Sequence, residues 1–247
     1  MNLHADRCSA TSRTRHRVFT ERQTAYILNS RQTNEGKKRN VSATLTSVKE
    51  TEDVKEAAII EAARKTFLAR GFDSASMDVI ALTAGVSKRT VYNRFRSKEE
   101  LFAAAILQTC RRMLPADFAD IEASLPPEEF IREMARRFLH GVLEPEALAL
   151  RRIAIFEAPR VPALGKAYLT HGPRWIVEIY KPMLERLVAR GALDIKDADR
   201  AIWQLGALLI EPLVHDVMLG DPPDDIEAAI ETQIDTAVTA FFKIYGV

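Results

Sequence analysis

The stretch SMDVIALTAGVSKRTVYNRFRSKEEL, residues 76–101, decides the fold. It reads as two short helices joined by a tight turn at Ala84-Gly85-Val86-Ser87, followed at once by the start of a third, which is the layout of a helix-turn-helix. Ser76 is placed to cap the first helix, with Val79, Ile80 and Ala84 as its inward stripe, and Gly85 supplies a residue that tolerates positive φ in the turn. Ser87 is placed to cap the second helix. There Val91 and Phe95 recur four apart, which leaves Lys88, Arg89, Thr90, Tyr92, Asn93 and Arg94 for solvent or a partner. Ser97-Lys98-Glu99-Glu100 fits a capping box, so a new helix begins where the basic face ends.

Upstream, residues 53–70 carry a helical pattern, with Ile60, Ala63 and Phe67 on one side and Gly71 as its stop. Packed on the reader, this helix completes a three-helix unit whose expected core is Ile60, Ala63, Phe67, Ile80, Val91 and Phe95. Residues 1–48 differ in character. They hold nine basic residues against three acidic ones, with much Ser, Thr, Asn and Gln and no sustained periodicity, and are expected to be disordered in isolation. A solvated tail, a DNA-contacting arm and an organelle-type presequence all fit such a composition.

Downstream of Phe102 the chain reads as helix almost to its end, broken at proline and glycine positions, with candidates at 97–114, 127–141, 145–157, 161–171, 173–190, 197–219 and 223–245. No β alternation interrupts them. The fold class is therefore all-α: residues 49–102 form a helix-turn-helix domain and residues 103–247 a helical bundle. Net charge is +1, so affinity for nucleic acid has to come from a local patch. Cys8 and Cys110 lack metal-ligand spacing and suit a reducing, cytoplasmic compartment. No run of about 20 uninterrupted apolar residues spans a membrane. No nucleophile elbow, HExxH, phosphate-cradling glycine loop or convincing carboxylate pair is present, so the reading is non-enzymatic, with no cofactor and no metal.

Residues 53–102 resemble the N-terminal domain of the TetR/AcrR family of one-component transcriptional regulators. The resemblance rests on the helix ending in Gly71-Phe72, the run Met77-Asp78-Val79-Ile80-Ala81, the turn Ala84-Gly85-Val86-Ser87, and the run from Thr90 to Phe102. Arg94 stands where the family usually has His or Tyr before the phenylalanine. The stretch 150–164, LRRIAIFEAPRVPAL, followed by Gly172-Pro173, resembles the AefR-like C-terminal domain of a subset of that family.

The side chains on the second helix fit major-groove chemistry: Lys88 and Arg89 carry donors for guanine and Asn93 an amide for adenine. The resemblance assigns Thr90, Tyr92 and Lys98 chiefly to phosphates, Arg94 can also contact phosphate, and the caps Ser76 and Ser87 complete the candidate DNA-binding set. One helix reads few base pairs, so the expected partner is a palindromic operator in double-stranded DNA, bound by a homodimer. The stripes Ile202, Leu205, Leu209, Leu213 and Ile226, Ile230, Ile234, Val238, Phe241 look too extensive for one small core and are the expected dimer surface, through helices 197–219 and 223–245. Phe118, Leu139, Phe156, Trp175, Ile179 and Trp203 are candidates to line an effector cavity. Glu211, set among leucines, is expected to pair with an arginine, contact the effector or face solvent. Together these point to a ligand-responsive regulator, on family habit a repressor, released by a small apolar or amphipathic molecule. A helical module that binds protein through the same unit is the competing class.

Overall fold

No proline and no glycine occurs between Val41 and Arg70, and one long helix, α1 (Val41–Ser74), runs through this stretch. The computed structural model describes residues 41–114, 121 and 124–247, with side chains from Asp53 onward. Residues 1–40 of the basic tail, Cys8 among them, lie outside the described residues; of the rest of that tail, residues 41–48 are already helix. The chain divides into two units, Met1–Glu50 and Thr51–Val247.

α1 buries Ile59, Ala62, Ala63, Thr66 and Phe67, the three-four spacing of one helix face. Ile60 sits only at the edge of that face, one position off the expected stripe. At Gly71 the backbone leaves helical geometry with φ 74°, a conformation glycine adopts without strain, and one last turn follows. That break turns Phe72 back to stack on Phe67 at 5.6 Å between ring centroids, while Phe102 meets both rings edge-on. The three rings join the end of α1 to the first turn of the bundle.

Two short helices follow, α2 (Met77–Thr83) and α3 (Lys88–Arg94), and then α4 (Lys98–Arg112), α5 (Pro127–Leu143), α6 (Pro145–Glu157), α7 (Pro162–His171), α8 (Pro173–Ala189), α9 (Ala198–Ile210), α10 (Leu213–Leu219) and α11 (Ile226–Tyr245). Proline opens α5, α6, α7 and α8, where its missing N–H has no intrahelical acceptor to lose. α4 packs on α7, α5 on α11, and α9 on both α8 and α11. A single contiguous apolar cluster runs from Ile59 to Phe241 through reader and bundle. The described residues contain no strand, only one isolated bridge between Leu193 and Gly246.

Two expectations are corrected here. The helix foreseen over 197–219 is two helices, because Pro212 has no N–H to give the carbonyl of Leu208. The Gln233 side chain supplies the missing donor, giving its Nε2 hydrogens to Leu208 O (2.5 Å) and Glu211 O (2.7 Å). The stripes Ile202–Leu205–Leu209–Leu213 and Ile230–Ile234–Val238–Phe241 are core of the single chain, all buried, with Ile226 half-buried beside them. The bundle closes around both helices, so these side chains are used up within the single chain. No single helix among the described residues is long and apolar enough to cross a membrane. The bent pair α9–α10 is long and apolar enough only when its two helices are taken together, and Ile202, Leu205, Leu209, Leu213 and Val214 within it are buried.

Candidate nucleic-acid interface

Ser76 opens α2 by accepting the amide of Val79 at 3.2 Å from extended backbone, and the helix buries Met77, Ile80 and Ala81. Val79 and Ala84, expected on the inward stripe, are only half-buried. The helix ends in a Schellman turn: Val86 N donates to Ala81 O at 3.1 Å and Gly85 N to Leu82 O at 3.2 Å, with Gly85 at φ 65°. Ser87 then caps α3, its Oγ accepting Thr90 N at 3.1 Å and lying 2.8 Å from Thr90 Oγ1.

α3 buries one of its seven residues, Val91, with Phe95 tucked in just past its end. Of its other residues, Thr90 and Arg94 are half-buried. Lys88, Arg89, Tyr92 and Asn93 are exposed, and Tyr92 leaves half its surface to solvent. Their charges are not equally available. Lys88 Nζ lies 2.5 Å from Asp78 Oδ2 in the first turn of α2, and Arg94 Nη1 lies 3.0 Å from Glu56 Oε2 on α1. Among the described residues Arg89 has no carboxylate against it.

α4 begins as foreseen at Ser97, whose Oγ accepts Glu100 N at 3.3 Å. The return bond is displaced by one residue, because Glu100 Oε2 accepts the amide of Arg96 at 2.7 Å. Lys98 turns back to α1: its Nζ donates to Phe72 O (2.8 Å) and Asp73 O (3.2 Å) and stands 4.5 Å over the Phe72 ring. The ammonium thus serves the carbonyls freed where Gly71 breaks the helix.

Residues 129–247 match the family described as "AefR-like transcriptional repressor, C-terminal domain", and residues 59–105 match "Bacterial regulatory proteins, tetR family". The chain belongs to the TetR family of DNA-binding transcriptional regulators. A TetR-family regulator from Mesorhizobium loti MAFF303099 superposes with a TM-score of 0.69 at 30% identity, over 79% of this chain and 98% of that one. The structure titled "Flavonoid-responsive Regulator FrrA" gives 0.64 at 34% identity, over 78% and 98%. The HTH-type regulator YhgD of Bacillus subtilis (strain 168) is 29% identical over 171 residues, 68% of this chain and 87% of its own.

In this TetR-family bundle the candidate effector residues do not converge. Leu139 is fully buried on α5, and Trp175 and Ile179 are half-buried on α8. Phe156 is 72% exposed, because α6 turns Leu150, Ala154 and Glu157 inward and Phe156 lies on the opposite side. Trp203 is 46% exposed for the same reason, set between inward Ile202 and Leu205 on α9. Glu211 is exposed at the end of α9 with His215 Nδ1 2.5 Å away, so its partner is a histidine one turn on. Phe118 lies outside the described residues.

The sequence reading missed a set of ion pairs on α6. The guanidinium of Arg64, almost fully buried on α1, meets Glu61 through Nε (3.0 Å) and Nη2 (2.5 Å) and Glu146 through Nη1. Burial works against its charge, but the hydrogen bonds to Glu61 and Glu146 outweigh that and its pKa is raised. Arg112 adds a second cation 3.4 Å from Glu146. Three residues past the end of α6, Arg160 pairs with Asp73 in the last turn of α1, and from the middle of α6 Arg152 donates to Met218 O at 2.8 Å. The one visible signal was Arg64 itself, a cation between Ala63 and Phe67 on an apolar face.

Proposed function

We propose that this TetR-family regulator is a ligand-responsive repressor that binds a palindromic operator as a homodimer and is released by a small apolar or amphipathic molecule. The observation that carries the DNA-reading role is α3: a serine-capped helix that gives a single residue, Val91, to the core and leaves Arg89, Tyr92 and Asn93 outward, with the chemistry of guanine, phosphate and adenine contacts. Thr90, Arg94 and the caps Ser76 and Ser87 flank the phosphates in this reading. Lys98 acts on the reader's shape, by holding the carbonyls of Phe72 and Asp73.

Dimerisation falls to the outer face of the last helices. Trp203, Gly206, Ala207 and Ile210 line one side of α9, and a side chain at Gly206 would meet nothing within 4 Å. The effector reading rests on the interior between α4, α7 and α8. Burial pushes the Cys110 thiol up to about 12 and raises the phenols of Tyr168 and Tyr180, so these three groups stay neutral and suit a mainly apolar guest. The flavonoid response named for FrrA, at 34% identity, favours an aromatic one.

α6 is the element suited to couple the two halves, since it is tied to α1 by Glu146 and to α10 by Arg152, while Arg160 just past its end pairs with Asp73 in the last turn of α1. A guest acts only if it binds one arrangement better than the other, and the effect is reciprocal. The test is an operator duplex titrated in the presence of flavonoid aglycones. A guest that weakens operator binding is itself bound more weakly by the operator complex, by the same factor. If every compound that binds leaves operator affinity unchanged, the ligand-released reading fails.

A further inference from the structure

Sequence-independent affinity for DNA comes from cations that neutralise phosphates and release counterions. This chain has little such charge to spare, with a net of +1, so what each cation of the reading face is doing matters. Three basic side chains lie on α3, and two already have a carboxylate. Lys88 Nζ is 2.5 Å from Asp78 Oδ2, and Arg94 Nη1 is 3.0 Å from Glu56 Oε2. Asp78 and Lys88 lie on different helices, ten residues apart across the turn, and both side chains are more than half exposed. The pair therefore stands in solvent at the entrance to α3, where a phosphate would otherwise take the ammonium. Besides this pair, Asp78 only places its charge in the first turn of α2: the Oγ of Ser76 already caps that helix, and the carboxylate makes no second hydrogen bond or ion pair among the described residues.

We propose that Asp78 is a counter-charge that removes Lys88 from sequence-independent DNA binding, leaving Arg89 as the reading cation at the start of α3. The inference rests on the assignment of α3 as the DNA reader. Its consequence is a lower background affinity for random duplex, which raises selectivity without any contact to a base. Because both side chains are exposed, the carboxylate offsets the ammonium on the surface that meets DNA and not inside the core.

The test uses the full chain and a random-sequence duplex, with affinity measured against salt between roughly 50 and 200 mM. The Asp78→Asn variant frees Lys88, so the slope of log affinity against log salt steepens by about 0.9 and affinity at about 0.1 M salt rises by roughly eightfold. Lys88→Met leaves the slope of the parent unchanged and removes that extra 0.9 in the Asp78→Asn background. Both positions are exposed, so all four proteins are expected to fold, as circular dichroism and thermal midpoints check. If Lys88 contributes the same slope in both backgrounds, the proposal is overturned while the reader assignment stands. If the parent itself shows no salt-dependent binding to duplex DNA, the assignment fails and the proposal with it.

Discussion

Replacing Glu146 by glutamine removes the charge that α6 sets against Arg64, while keeping the side chain's size and its capacity to accept a hydrogen bond. The Arg64 side chain is 6% exposed and that of Glu146 37%, so this pair lies between two regimes. Leaving one member of a fully buried pair costs about 3–5 kcal/mol, whereas an exposed pair is worth about 0–1 kcal/mol. Glu61 remains on the guanidinium through two hydrogen bonds, so the charge is not orphaned, and solvent screens the open side of Glu146. The cost of Glu146→Gln is therefore about 1–2 kcal/mol of unfolding free energy. In a unit of this size that lowers the thermal midpoint by about 2–8 °C. Calorimetry and urea titration at neutral pH measure it for the parent, Glu146→Gln, Arg64→Met and the double variant. Once Arg64 is methionine, the glutamine substitution is expected to cost only the exposed pair that Glu146 keeps with Arg112, about 0–1 kcal/mol, because the buried charge it served is gone. An equal cost in both backgrounds would refute the account of Arg64 as a buried cation that α6 neutralises.

Three further outcomes are expected. Glu61's carboxyl is held below 4.5 by the hydrogen bond from Arg64, against the opposing effect of burial, so its contribution is complete above that value and is lost as pH falls through the lowered folded value. The stability difference between the parent and Glu61→Gln is thus constant from neutrality to about pH 5 and shrinks below about 4.5, as denaturant titrations at stepped pH would check. Arg89→Ala costs about 1–3 kcal/mol on the selected duplex and relaxes preference at one base pair, read by competition binding with duplexes changed at single positions. Trp203→Asp places a charge on the outer face of α9 and outside the core, so sedimentation velocity should show a shift from dimer to monomer without loss of helix content.

The reader was legible because its signals are local. Each of Ser76, Ser87 and Ser97 caps the helix it precedes, Gly85 takes positive φ in the turn, and the buried pair Val91 and Phe95 follows from a four-residue spacing. Proline marked the starts of α5, α6, α7 and α8 for the same reason, since the residue's own chemistry fixes where a helix can begin. Which face of a bundle helix turns inward is a tertiary matter. Phe156 and Trp203 are large and apolar, yet the face of α6 that packs is set by Leu150, Ala154 and Glu157, and that of α9 by Ile202, Leu205 and Leu209. The same limit applies to ion pairs across long sequence distances. Nothing local links Arg64 to Glu146 or Asp73 to Arg160, and Lys98, which the family resemblance assigns to a phosphate, finds carbonyls on a helix that ended two dozen residues earlier. For Glu211, flanked by leucines, sequence left an arginine partner, an effector contact and solvent all open; Pro212 ends the helix there and leaves the carboxylate outside.

Selection of bound sequences from a random duplex pool by the purified full chain tests the central claim most directly, because one experiment reads DNA binding, symmetry and spacing. The account predicts an inverted repeat whose half-sites are centred about one helical turn apart or a multiple of it, with enrichment lost in Arg89→Ala. Enrichment of no sequence, or of a single half-site with no repeat, would contradict it.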